Sequence, residues 1–405
     1  MKENACCPPA DKTADGQEKD VRKWTQGIQI LPMDGPEPHS GGDEPCCGPP
    51  PSPRSSPHEK PGYTVCRFVD GFLKTPAGAV PRVKTAAGIH DFLGTLQARS
   101  GLSRNDYKVA PGLYAAGKPG SASPVLVTAN YKLGFDKLRT RLKHADAWIL
   151  VIDTRGINVW CAGGKNLFSA SEVARTVKQS GLPAVVSHRR LVLPQLAANG
   201  VAAREVKKAC GFEVVWGPVR ADDIEAFLAN NMKAAAHMRL VTFNLRERLA
   251  LIPVELYFIR KPTLWIIAAA LLLSGIGPGV FSASDAVNRG GMMIAAYLVG
   301  IFTGAVLTPA FLPWIPGRAF SIKGVVAGFA GILPLLMAFR AQLGWLEAFT
   351  LLFVALAVSS YTAMNFTGST PYTAPSGVEK EMRLSMPFQA GAVVSGIVFW
   401  VVAAF

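Results

Sequence analysis

Between Thr263 and Phe405 the chain contains five apolar stretches, about Thr263–Phe281, Gly291–Leu312, Ile322–Phe339, Trp345–Met364 and Pro387–Phe405. Each approaches the roughly 20 residues that an α-helix needs to cross the hydrocarbon core of a bilayer. This pattern constrains the fold more than any other: residues 263–405 are expected to form an all-α transmembrane domain of five spans. They carry only six Lys/Arg and four acidic residues, so most of the formal net charge of +14 lies on residues 1–262. A basic balance of this kind suits nucleic acid or an anionic membrane surface. No nucleic-acid-binding motif is present, and the spans favour the membrane.

Loop charge gives the orientation. Arg246, Arg248, Arg260 and Lys261 precede the first span, Arg318 and Lys323 flank the second-to-third loop, and Lys380 and Arg383 precede the fifth. The alternate loops hold only Arg289 and Arg340. The expectation is a multi-pass protein of the inner (cytoplasmic) membrane, with residues 63–245 in the cytoplasm and the C-terminus outside. Residues 246–262 read as a basic linker. Gly275 to Gly279 could break the first span as in transporters, but no cluster of ionisable residues lines the spans, which favours an anchor over a pump.

Residues 1–62 are rich in Pro, Gly, Ser and charge, lack apolar periodicity and read as a disordered tail. No apolar signal-peptide core is visible there. Seven cysteines in a cytoplasmic context argue against a disulfide framework. Two vicinal pairs, Cys6-Cys7 and Cys46-Cys47, suit soft metals such as Hg(II), although an unselected, solvated tail explains them as well.

From Ser123 onward short apolar runs alternate with helical patterns. Strands are expected at Pro124–Ala129, Ala147–Ile152, Leu182–Ser187 and Phe212–Trp216. Helices are expected at Tyr131–Lys143, Ser169–Ser180, Val201–Cys210 and Asp222–Asn231, and near Ala86–Ser100. This alternation implies an α/β fold, a Rossmann-like parallel sheet covered on both faces. Ligands of such sheets sit beyond the carboxyl ends of the strands. Thr128–Asn130, Asp153–Lys165, Ser187-His188 and Trp216–Arg220 are expected to share that rim.

The chemistry-bearing stretch on the rim is Asn158-Val159-Trp160-Cys161-Ala162-Gly163-Gly164-Lys165. A P-loop reading fails: the first glycine of GxxxxGK would fall at Val159, and Asn166 stands where Ser or Thr holds magnesium. A nucleophilic Cys161 needs a base, for which His188 is the candidate on the rim. As a metal ligand, a thiolate is a strong axial donor, favoured if Cys161 opens a helical turn with exposed N–H groups. Trp160 could wall an apolar ring system, with Gly163 and Gly164 admitting a large planar cofactor. An inert, buried core thiol is the plain alternative.

The eight residues closely resemble the cap-helix signature of the HgcA family of mercury-methylating corrinoid proteins. The resemblance extends over about residues 105–245, through Pro111–Tyr114, Val127–Lys132, Leu193–Leu196, Gly200-Val201 and Trp216–Arg220. A five-span membrane domain after the corrinoid domain matches too, and the domain resembles that of the corrinoid iron–sulfur protein. The resemblance implies a cobalamin-type corrinoid with Cys161 as the lower axial ligand of cobalt. Its contacts would come from Thr128, Asn158, Val159, Trp160, Ala162, Gly163, Gly164, Lys165, Gln195, Gly200, Val201, Gly217, Pro218 and Val219. It further implies a methyltransferase that passes methyl, as a carbanion equivalent, from a methyl-Co(III) corrinoid to Hg(II), forming methylmercury. An HgcB-type ferredoxin with two 4Fe–4S clusters and a methyltetrahydrofolate-linked methyl donor would be its partners. The tail thiols are not part of the signature; with Hg(II) as substrate they would serve as a mercury relay. Two other readings stay open: a membrane-anchored methyl-corrinoid carrier of one-carbon metabolism, and a membrane transporter or sensor with a cytoplasmic thiol domain.

Overall fold

The computed structural model describes residues 67–102, 107–371 and 375–405. The tail expected at 1–62, with Cys6, Cys7, Cys46 and Cys47, lies outside the described residues. The chain separates near Val241–Thr242 into two compact units.

The first unit is built on a seven-stranded sheet: β1 (Val69–Thr75), β2 (Gly78–Val83), β3 (Gly112–Ala116), β4 (Val125–Ala129), β5 (Ala147–Ile152), β6 (Arg190–Leu193) and β7 (Glu213–Trp216). The spatial order is β1-β2-β3-β5-β4-β6-β7. The β5-β4-β6-β7 half is parallel throughout, whereas β1 pairs antiparallel with β2 and β3 antiparallel with β5. Every residue of β4 and β5 is buried, as central strands covered on both faces must be. Val125, Val127, Leu150 and Ile152 turn to one face, where Val173, Val177, Val206 and Phe212 cover them. Leu126, Ile149 and Val151 turn to the other, against Phe135, Leu138 and Phe227. The parallel-dominated α/β fold agrees with the sequence pattern, and the antiparallel pairs add a hairpin edge.

One expected strand is not a strand. Leu182–Val185 forms a short helical turn entered through Gly181 at φ 63°, and the strand of this region is Arg190–Leu193. Pro183 has no N–H for a central ladder but fits the first turn of a helix. The consequence is that Ser187-His188 precede β6 instead of following a strand. The ring Nε2 of His188 lies 2.9 Å from the Ser123 carbonyl oxygen, at the start of β4. His188 therefore sits at the amino edge of the sheet, opposite the expected rim.

The second unit holds five helices long and apolar enough to cross a membrane: Leu245–Ser274, Ala283–Ala310, Phe320–Ala338, Trp345–Ser369 and Ser376–Val402. The first runs continuously from Ile252 to Ser274 with Pro262 inside it, and the short helix Leu245–Leu249 precedes it. Gly275–Gly279 therefore lies beyond the span, around the small hairpin of Ile276–Gly277 and Val280–Phe281, and does not interrupt it. The second helix contains a π-helical turn, Phe302–Leu307, just before Pro309. There the Thr303 hydroxyl lies 2.9 Å from Ser359 Oγ, which donates to the Gly324 carbonyl at 2.6 Å. A Cβ at Gly304 would fall 2.3 Å from the Ser359 carbonyl and one at Gly324 2.5 Å from it, so these helices pack backbone to backbone.

A half-buried ion pair lies near the starts of the second and fourth helices. Arg289 Nε lies 2.9 Å from Glu347 Oε1, both side chains being about 13–14% exposed. Its guanidinium also donates to the Trp400 carbonyl at 2.7 Å and stacks on that indole, while Trp400 Nε1 donates to Ser274 Oγ at 2.9 Å.

Candidate functional site at the carboxyl edge of the sheet

Because β5, β4, β6 and β7 run parallel, the segments that leave them emerge at one edge: Asn130, Asp153–Lys165, Pro194–Val201 and Gly217–Arg220. Asn130 ties the first two together. It is fully buried; its Oδ1 accepts from the Thr154 N–H at 3.1 Å and the Gly156 N–H at 2.8 Å, and its Nδ2 donates to Asp153 Oδ1 at 3.1 Å. Asp153 Oδ1 also accepts from the Arg155 N–H at 2.9 Å. Arg155 and Gly156 take φ values of 57° and 77°. One amide side chain thus stands in for the backbone partners of a reversing loop, as buried N–H groups require.

The loop delivers Asn158 as the cap of the six-residue helix Val159–Gly164, accepting from the Cys161 N–H at 2.9 Å. Cys161 therefore lies in the first turn, with its own N–H already engaged. Lys165 ends the helix, and Asn166 at φ 55° turns the chain so that the Leu167 N–H reaches the Ala162 carbonyl at 2.8 Å.

The short helix has two unlike faces. Ala162 is fully buried in the cluster that holds Ala129, Ile152, Phe168, Ala197 and Val201, and Gly163 is buried beside it. A Cβ at Gly200 would fall 2.5 Å from the Phe168 carbonyl and 2.7 Å from Gly163 Cα, so the two glycine backbones touch. A Cβ at Gly163 would meet Asn199 Oδ1 at 2.1 Å, and Asn199 Nδ2 donates weakly to the Trp160 carbonyl at 3.5 Å. On the other face Cys161 and Gly164 are both exposed, three residues apart and hence adjacent on the helix surface. A Cβ at Gly164 would meet nothing nearer than 3.8 Å. Gly164 leaves a strip of that face without a side chain, and Trp160 is half-buried on the same helix.

The remaining predicted residues are placed as follows. Asn158–Lys165, Gly200 and Val201 form one packed unit, and Gln195 belongs to the same β6 loop, with Oε1 accepting from Arg239. Gly217, Pro218 and Val219 leave β7 at the same edge, fixed by Gly217 N–H to Leu193 O and Val219 N–H to Met238 O, both 2.8 Å. Thr128 is 5% exposed within β4, where the pleat turns it to the sheet face of Leu126, away from the face shared by Ala129 and Ala162. Asn130, Asp153 and Asn199 were not singled out as site residues, yet they shape the edge.

Placing His188 at the opposite edge removes the base that a nucleophilic Cys161 would need. Among the described residues, no group of three or more His, Cys, Asp or Glu converges as a metal site. Cys161 therefore offers one soft donor, which suits a metal whose other positions are already filled by a ring system. A depression of about 460 Å³, lined by Lys74, Lys118, Ser121, Trp148 and Val185 among others, lies at the amino edge, away from this chemistry.

Residues 85–228 match the family model described as CO dehydrogenase/acetyl-CoA synthase delta subunit. Over 129 residues the chain is 36% identical to the acetyl-CoA decarbonylase/synthase complex subunit gamma of Methanopyrus kandleri, which covers 31% of this chain and 27% of that one. The corresponding subunit of Archaeoglobus fulgidus is 32% identical over 130 residues, or 32% of this chain and 27% of the relative. The corrinoid/iron-sulfur protein large subunit of Moorella thermoacetica is 30% identical over 112 residues, 27% of this chain and 25% of its own length. The chain thus spans about a quarter of the length of these relatives, and the likeness concerns the sheet domain alone.

Proposed function

We propose that the sheet domain holds a corrinoid against the Val159–Gly164 helix and that the protein transfers a methyl group to Hg(II), forming methylmercury. The observation that carries this reading is the exposed Cys161 on the same helix face as Gly164, which carries no side chain. A single exposed soft donor next to a position without a side chain suits a large planar metal macrocycle. The named corrinoid/iron-sulfur relative and the Asn158–Lys165 motif support the same assignment. When bound, the corrinoid would supply a cobalt-carried methyl group; Cys161 would hold its cobalt, and a thiolate donor would make that methyl electron-rich enough for a soft electrophile such as Hg(II).

The chain's own residues do the positioning. Asn158 fixes the helix start, Asn130 and Asp153 fix the loop behind it, and Gly163 against Gly200 sets the helix depth, so that Cys161 is presented at a constant height. Lys165, Gln195, Gly217, Pro218 and Val219 border the same edge and are proposed to contact the rest of the cofactor. An HgcB-type ferredoxin as reductant, a methyltetrahydrofolate-linked methyl donor, and a mercury relay through Cys6-Cys7 and Cys46-Cys47 complete the proposal.

The full-length protein, purified anaerobically, is expected to carry a corrinoid absorption spectrum and, with its reductant, to methylate Hg(II). Cys161→Ala should abolish methylation and change the visible spectrum of bound corrinoid. Wild-type methylation by Cys161→Ala, or purified protein that retains no corrinoid, would overturn the reading. The curated relatives favour a second one, a methyl carrier for acetyl-CoA metabolism. In that case methyl would pass faster to an acetyl-CoA synthase than to Hg(II).

A further inference from the structure

Arg248 lies in the short helix Leu245–Leu249 that precedes the first span, and it is only 4% exposed. Its Nε and Nη1 have no hydrogen-bond partner among the described residues. A guanidinium stays protonated in a protein, and these two nitrogens carry three N–H donors. A buried cation whose donors go unanswered is costly, by more than an ordinary missing hydrogen bond. The site therefore calls for an anion.

The acidic side chains at this end of the membrane unit are engaged elsewhere. Glu247, one residue away, completes a capping box with the Asn244 N–H at 2.9 Å and also meets the Thr242 hydroxyl. Glu255 accepts from Ser369 Oγ at 3.0 Å, Glu379 pairs with Arg383 at 2.6 Å, and Glu381 accepts from the Ser321 N–H at 2.6 Å. The group recorded against Arg248 is aromatic instead. Its guanidinium lies 5.9 Å from the centre of the Trp314 ring, which is itself 68% exposed. Lys323 donates to the Leu312 carbonyl at 2.9 Å and to that of Ile315, bringing a second cation to the same loop.

We propose that Arg248, beside Trp314, is a binding site for the phosphate headgroup of an anionic membrane lipid. Guanidinium and phosphate match in charge and planar donor geometry. The location selects lipid over soluble phosphate. Arg248 precedes a span, and Trp314 lies in the loop between two more, where an indole suits a headgroup layer.

The test uses full-length protein in neutral detergent, with native mass spectrometry and thermal unfolding read after addition of phosphatidylglycerol, phosphatidylcholine or inorganic phosphate. Wild-type protein should retain phosphatidylglycerol and unfold at a higher temperature with it, while the other two additions leave it unchanged. Arg248→Met, which removes the unpaired charge and keeps the bulk, should fold at least as well without lipid. It should bind phosphatidylglycerol on the order of tenfold more weakly, as the loss of a charge-assisted contact implies. Arg246→Gln, at an exposed neighbouring position, should leave the lipid-dependent shift intact. The proposal is overturned if Arg248→Met keeps the full shift, if Arg246→Gln loses it equally, or if inorganic phosphate alone reproduces it.

Discussion

A methyl group added at Gly164 would find nothing nearer than the Asn199 amide at 3.8 Å, whereas one added at Gly200 would fall 2.5 Å from the Phe168 carbonyl. These two glycines therefore serve different ends, and substitution separates them. Gly164→Leu should leave thermal unfolding unchanged or slightly raised, since glycine is the poorer helix former by about 1 kcal/mol. It should nevertheless lower corrinoid retention, because the added side chain occupies the strip beside Cys161. Unaltered retention with native stability would mean that the strip is not the docking surface. Asn130→Ala removes the partner of the Thr154 and Gly156 N–H groups, and a loss of stability on the order of 2–3 kcal/mol is expected. Urea titration of the full chain, followed by Trp fluorescence, would measure it. The Asn158–Lys165 motif was legible because its residues are contiguous. Asn130 and Asn199 were not, since an amide that bonds to backbone more than 20 residues away leaves no local pattern; nor was the role of Asp153, which depends on its bond from Asn130.

At the level of single elements, the helix Lys132–Arg139 is anchored by charge as well as by Phe135. Lys132 and Arg139 both reach Asp136 and Asp91, with Arg139 fully buried and 2.7 Å from Asp91 Oδ1. Burial by itself would raise the Asp91 carboxyl, but the Gly88 N–H, Arg139 and Lys132 hold it below the ordinary carboxylate range. A depressed carboxyl stabilises the fold at pH values above its unfolded pKa of about 3.9 and loses that contribution as pH falls further. The sheet domain should therefore lose stability below about pH 4. Asp91→Asn should flatten that acid limb while lowering the plateau at neutral pH, as thermal unfolding across pH 3–7 would show; an unchanged acid limb would contradict the assignment. Strand and helix identities were legible in Ala147–Ile152, an unbroken run of six apolar residues, and in Ala170–Gln179, where the helical period is clean. The Leu182–Val185 turn was misread because a short apolar run carries no periodicity, and Pro183 was the neglected sign.

For the whole molecule, the five spans were legible by length and hydropathy, though not to the residue: the first starts earlier than its apolar core suggests and the last starts at Ser376. Basic side chains flank the first span and the segments before the third and fifth, which supports a cytoplasmic sheet domain. Alkaline phosphatase fused after Phe405 should then be active and a fusion after Gly317 inactive; the reverse pattern would invert the topology. The antiparallel β3–β5 pairing was not legible, because strand order and direction depend on connections and not on composition.

The Arg289–Glu347–Trp400 contact, with Ser274 behind it, draws on the first, second, fourth and fifth membrane helices. Its consequence concerns biogenesis. During synthesis Arg289 enters the bilayer before either of its later partners exists, and the indole that covers it arrives with the fifth helix. The contact is complete only once that helix has been made, so Trp400 closes it last.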